Sequence, residues 1–445
     1  MSKTRERVNK LPDGNKNSLF NFGAEGWTII IYCLLMFWFY VGMCNDGSNA
    51  TAPAAAERLG VQNGTIMSMN SIAGIVGVIF FIILGRVDAK VGSGKISGIL
   101  CISAGIFYIL MGRSNSLAMY TICMCFVVGS IMSAGYISGG NLVAQWFPKK
   151  KGVVMGYTTM GHNLASAFYV PLITWLVLTY SLNGGVVPIG IAVIILGIFG
   201  LIFIKDTPME RGINPDNVSD ELFRNEYDTA ESEDDGGWTT SKLLKTKELW
   251  QAAISTGFFQ ICSVGVMSQM VLRNMELGFE QSKAILIMTI LALVGTFGSW
   301  LIGVFDQKFG TKRTMIGFAL WYASALILNF TNIMPLVYVS LFMIAIGIGG
   351  SANFTTSLPA SIFGRHGFTK VNSVVFPLQG FVTALCFLIN GLVQNLTGGQ
   401  IRYAYLVFAG VALINIIIVS KIDEFKYNRD HKAQVEYEEE EGIID

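Results

Sequence analysis

Long apolar runs, separated by short polar stretches, recur along almost the whole chain. A bilayer core takes about 20 apolar residues per helix. Runs of that length start near Trp27, Gln62, Ile96, Leu117, Gly152 and Val186, and again near Leu249, Ser282, Thr314, Pro335, Val371 and Tyr403. The pattern predicts an all-α integral membrane chain with twelve transmembrane helices. Between the two sets, residues 205–248 hold twelve Asp/Glu and six Lys/Arg together with Pro208 and Pro215, a composition that cannot face lipid. The expected organisation is a six-helix bundle over residues 1–204, a connecting segment over 205–248, and a second six-helix bundle over 249–445. The last of these ends in an acidic tail, Glu438 to Glu441.

Composition agrees with the pattern. Hydrophobic residues make up 52% of the 445 and charged residues only 14%, against roughly a quarter charged in a soluble domain, and the mean hydropathy is +0.53. The net charge of +1 gives no reason to expect nucleic acid. Cys33, Cys44, Cys101, Cys123, Cys125, Cys262 and Cys386 all fall in apolar runs without a C-x-x-C pair, so they read as small apolar residues rather than a metal or redox site. The polar, basic N-terminus is followed by a long first run with no small-residue cleavage site, and that run is expected to stay as a membrane helix.

Basic residues set the orientation. If the N-terminus is cytoplasmic, 26 of the 31 Lys and Arg fall in inside segments, and only Arg58, Arg113, Arg273, Lys283 and Arg402 lie outside. Basic residues resist translocation, so both termini are expected in the cytoplasm.

Two loops share a motif. Gly85, Asp88, Gly92 and Lys95 after span 2 recur as Gly303, Asp306, Gly310 and Arg313 after span 8, each 218 residues on. A fixed offset between two six-helix halves is what a parallel duplication produces. A glycine lets helix ends approach closely, and an acid there can accept from the free N–H groups of a neighbouring helix.

On these loops the chain resembles the major facilitator superfamily, whose motif has the form G-x-x-x-D-x-x-G-x-x-K/R. The acid stands one residue closer to the leading glycine here. The resemblance covers all twelve spans and implies two pseudo-symmetric bundles that rock about a central site. The run Asn45 to Ala54, with its mid-helix acid and closing Ala-Pro-Ala, looks like the first helix of organic-anion carriers of this superfamily, in which the acid takes part in proton coupling. Where those carriers often place a base after the acid, this chain has Gly47. Gln145 to Gly152 and Phe363-Gly364-Arg365 are similar to junctions in the oxalate/formate and monocarboxylate branch.

Several polar side chains fall at membrane depth. Asp46 lies eleven residues before Glu57, and His162 eleven after Lys151, so each is about 16 Å from its end of the span. An intramembrane acid is costly and functional by default, and histidine titrates near neutral pH. Asn49, Tyr136, Gln260, Asn353 and Gln379 fall at similar depth and complete a candidate substrate or proton site. Any single one of these five is more often a helix-to-helix hydrogen bond than a substrate contact. Spans 8 and 11 carry no central Lys or Arg, so no buried cation waits for a dianion such as oxalate.

The expected function is secondary transport of a small organic anion, a carboxylate, by alternating access with a proton or counter-substrate. The expected setting is a monomer in the cell membrane, with no cofactor or metal. A drug–proton antiporter is the nearest rival, but Gly161-His162-Asn163 stands where such carriers have Gly-Pro. A solute sensor would need a larger signalling domain than residues 205–248 provide. No nucleophile–base pair or phosphate loop points to an enzyme.

Overall fold

The computed structural model describes residues 21–221, 223, 237–364 and 368–428. The basic N-terminal tail, the middle of the connecting segment, Arg365, His366, His431 and the acidic tail lie outside the described residues. Among the described residues every regular element is helical. Helix α1 (Gly23–Tyr40) passes through a π-helical turn, Val41–Asp46, into α2 (Ser48–Leu59). Helices α3 (Asn63–Val91), α4 (Ser93–Gly112) and α5 (Leu117–Ser133) follow. A second π turn, Ala134–Gly139, leads into α6 (Gly140–Trp146), and a third, Ala165–Tyr169, joins α7 (Lys151–Leu164) to α8 (Val170–Phe203). The later elements are α9 (Thr240–Leu244), α10 (Lys247–Met267), α11 (Met270–Glu276), α12 (Gln281–Phe309), α13 (Thr311–Phe330), α14 (Met334–Phe363), α15 (Phe368–Leu396) and α16 (Arg402–Ser420).

Among the described residues, ten helical stretches are long and apolar enough to cross a membrane. One of them, Val153–Phe203, is 51 residues long. It is not one rod, because Ser181 sits at φ 58° and ψ 176°, outside helical space. Helix α13 is not among the ten, since Lys312, Arg313, Trp321, Tyr322 and Asn329 dilute its apolar character. Leu178, Ile195 and Trp300 leave 66%, 61% and 61% of their surface exposed. Large apolar side chains turned outward in such number suit a lipid solvent and would be untenable in water.

The chain divides into two compact units, Met1–Leu59 with Val76–Glu231, and Gly60–Ile75 with Ser232–Asp445. Within the first, α4 and α8 approach through small residues: a Cβ on Gly98 would meet the Gly197 carbonyl oxygen at 2.8 Å. Such close backbone contact drives helix association where lipid removes the hydrophobic term. Within the second, Gly265 carbonyl oxygen accepts from Asn390 Nδ2 at 2.9 Å and Asn415 Nδ2 donates to Ser255 O at 2.9 Å.

Both described ends of the connecting segment are docked on helices. On the first unit Asp216 is fully buried, and its carboxylate accepts from the backbone N–H of Lys149 at 2.9 Å and of Lys150 at 3.0 Å. The Lys150 ammonium donates to the carbonyl oxygens of Asn21 and Asp216, each at 2.9 Å. Burial pulls that amine below its ordinary pKa, and the Asp216 charge opposes the shift. On the second unit the Trp238 ring packs edge-on against Phe363 and Tyr427, with ring centres 5.2 Å apart in both pairs, just before the short helix α9.

Candidate functional site

Three π turns of the first unit carry two of the candidate residues, Asp46 and Tyr136. A π turn adds a residue to the helical ladder and frees a carbonyl, a distortion frequent at functional sites. Asp46 closes the first turn, Tyr136 lies in the second, and Ser166 lies in the third. Asp46 is 4% exposed, and Ser166 Oγ donates to its Oδ2. Asp46 forms no ion pair among the described residues. Asn49 is also buried, and its Nδ2 donates to the Asp46 carbonyl oxygen at 2.8 Å, so it steadies the widened turn.

Position 47 is closed to a base. Gly47 N–H bonds back to Gly42 O at 2.9 Å. A Cβ at 47 would collide with that oxygen and come within 2.9 Å of Tyr169 Cε1. The departure from the anion-carrier pattern at this position therefore follows from the π turn itself.

His162 is half-buried, one turn before the third π turn. Its ring meets Phe37 edge-to-face at 4.9 Å, and the rings of Tyr136 and Tyr40 lie 6.1 and 6.3 Å away. Its Nε2 is enclosed without a hydrogen-bond partner. The acid and the imidazole thus share two elements: the helix that carries Phe37, Tyr40 and Asp46, and the one that carries His162 and Ser166.

Gln260, Asn353 and Gln379 fall in the second unit. Gln379 Nε2 donates to Thr355 Oγ1 at 3.2 Å while its Oε1 is enclosed without a partner. Asn353 Nδ2 donates to the Ser299 carbonyl oxygen at 2.7 Å. Gln260 is half-buried on α10. Arg273 is fully committed: its guanidinium bonds Asn329 Oδ1 at 2.9 Å, Asn332 Oδ1 at 2.5 Å and Glu276 Oε2 at 3.0 Å.

The loop motif works differently from expectation. Asp88 is buried and accepts from side chains, Ser93 Oγ at 2.7 Å, Ser138 Oγ at 2.5 Å and Asn141 Nδ2 at 2.7 Å. The backbone N–H at the start of α4 belongs to another acid: Gly94 N donates to Asp206 Oδ1 at 2.7 Å. In the second unit Lys312 N donates to Glu424 Oε1 at 3.1 Å. Donors 94 and 312, and acceptors 206 and 424, are both 218 residues apart, so the repeat extends to two acids that the loop motif does not contain. Gly92 and Gly310 adopt matching positive φ of 100° and 80°, which a side chain would strain. Asp306, by contrast, keeps an enclosed Oδ1 without a partner. Gly85 and Gly303 lie within α3 and α12, and Lys95 and Arg313 are exposed.

Outward-facing apolar side chains on helices long enough to cross a bilayer mark a multi-pass membrane protein. The Major Facilitator Superfamily profile matches residues 28–385, and the chain belongs to that family. It is 20% identical over 299 residues to the uncharacterized MFS-type transporter YhjX of Escherichia coli K12, covering 66% of this chain and 70% of that one. Among solved structures it is similar in fold to a D-xylose-proton symporter, with TM-score 0.66 and 11% identity over 90% of this chain and 98% of the other. It is also similar to a POT family transporter in complex with 5-aminolevulinic acid, with TM-score 0.66 and 15% identity over 93% and 98%. A nucleoside transporter aligns with TM-score 0.64 and 14% identity over 88% and 99%.

Proposed function

We propose that this chain is a proton-coupled carrier of a small monocarboxylate, working by alternating access as a symporter or exchanger. The observation that carries the reading is Asp46, a buried carboxyl whose side-chain partner is a serine hydroxyl. An ionised carboxylate with only a neutral donor is expensive in a dry interior, so this group exchanges a proton as its surroundings open to water and close. His162 supplies the second element. Its unpartnered Nε2, flanked by the Tyr40 and Tyr136 rings, offers a carboxylate a hydrogen-bond donor in the Nε2–H tautomer. In the second unit Arg273 is already held by Asn329, Asn332 and Glu276, which disfavours a dianion as cargo.

The rest of the reading follows. The Val153–Phe203 stretch counts as two crossings and α13 as one more, giving twelve in two halves of six joined by residues 205–248. The basic-residue asymmetry puts both ends on the cytoplasmic side of a cell membrane. The protein works as a monomer within the oxalate/formate and monocarboxylate branch, with Asn49, Gln260, Asn353 and Gln379 as polar residues of the pathway. A second reading draws on the same rings: aromatic faces around His162, on the two elements that also carry Asp46 and Ser166, suit a lipophilic cation, as in drug–proton antiport.

The test is counterflow in proteoliposomes against formate, lactate, pyruvate, succinate, xylose and tetraphenylphosphonium under an imposed pH gradient. Exchange of a monocarboxylate supports the carrier reading. Movement of the phosphonium alone would replace it with cation efflux.

A further inference from the structure

We infer that Tyr169 is a positioning residue for Asp46, its ring keyed into a notch left by Gly42 and Gly47 so that the third π turn clamps the first. The inference rests on the reading of Asp46 as the proton-exchanging group.

Two contacts join the turns. One is the Ser166 hydroxyl on the Asp46 carboxylate. The other lies one turn on, where the Tyr169 ring occupies the space that a Cβ at Gly42 would need, its Cγ lying 2.5 Å from that position. The same ring approaches a Cβ at Gly47 to 2.9 Å. Residues 42 and 47 are the two ends of the hydrogen bond that closes the first π turn. The ring therefore touches both ends of the turn that aims the carboxyl.

The key is itself held from behind. Tyr169 is fully buried, its hydroxyl shares a 2.9 Å hydrogen bond with that of buried Tyr108, and its ring packs edge-on against Trp38 at 5.2 Å. Trp38 Nε1 donates to the Leu164 carbonyl oxygen at 3.1 Å, just before the third turn begins. Rigid support around a reactive group fixes its hydrogen-bond geometry. Here that geometry is the Ser166–Asp46 bond, which controls how firmly the carboxyl holds its proton.

The experiment is infrared titration of the reconstituted full-length chain, following the protonated-carboxyl band assigned to Asp46 by its loss in Asp46→Asn. Tyr169→Ala empties the notch and should move the band's titration midpoint by about half a pH unit or more. Tyr169→Phe keeps the ring and loses only the bond to Tyr108, and should move the midpoint much less than Tyr169→Ala does. Gly42→Ala alone should also move it, while Gly42→Ala with Tyr169→Ala, in which methyl replaces ring, should return it toward wild type. Tyr169→Leu serves if the alanine variant does not insert. The other titratable side chains of the neighbouring elements, among them Tyr40, Cys44, Tyr108 and His162, stay unchanged throughout. A midpoint unmoved by Tyr169→Ala, or moved equally by Ala and Phe, overturns the inference and leaves the function standing. A spectrum in which Asp46→Asn removes no band overturns the proton-exchange reading itself.

Discussion

At the level of single residues, an expected depth was readable from the sequence and partners were not. Counting from Glu57 and Lys151 put Asp46 and His162 near mid-membrane, because a helix advances a fixed distance per residue. Ser166 stands 120 positions from Asp46, and nothing in local composition marks it. The π turns were equally hidden, since a slipped backbone hydrogen bond leaves no periodic trace. Gly47 was visible only as a departure from a pattern, and its cause emerged with the neighbouring Gly42 carbonyl and Tyr169. Gly47→Arg, which would recreate the anion-carrier pattern, should therefore abolish stable insertion, seen as loss of monodisperse protein in detergent. Ser166→Ala should preserve folding but alter the pH profile of transport, because the carboxyl loses its hydrogen-bond donor.

At the level of elements, the apolar runs announced the helices, while their ends depended on contacts between distant parts of the chain. The repeat at 218 residues was legible in the glycines and acids of the two loops. The caps Asp206 and Glu424 were missed, although the same offset would have found them, because each lies past the last helix of its half. Removing either cap leaves N–H groups at the start of α4 or α13 without their acceptor. Asp206→Ala and Glu424→Ala should each cost about 1 kcal/mol of stability, measured as a lowered melting temperature. Asp216 gives the connecting segment a second anchor on the first unit. Asp216→Ala should free residues 212–221 and raise their cleavage by a soluble protease, with the transmembrane fragments left intact.

For the whole molecule, hydropathy predicted a multi-pass membrane chain and the two loop motifs predicted its superfamily, with which the family match agrees. Ten membrane-capable stretches stand among the described residues against twelve expected, because Ser181 breaks one long stretch from within and charged and polar residues dilute α13. Orientation remains a statement about charge. A protease site placed before Phe22 or after Asn428 should be cut in inside-out vesicles and protected in right-side-out ones.

The most direct measurement follows internal pH and labelled monocarboxylate together in proteoliposomes containing wild type or Asp46→Asn. Wild type should carry protons in step with substrate, while Asp46→Asn should exchange substrate and carry no protons. Equal proton flux in the two proteins would contradict the proposal that Asp46 couples proton movement to transport.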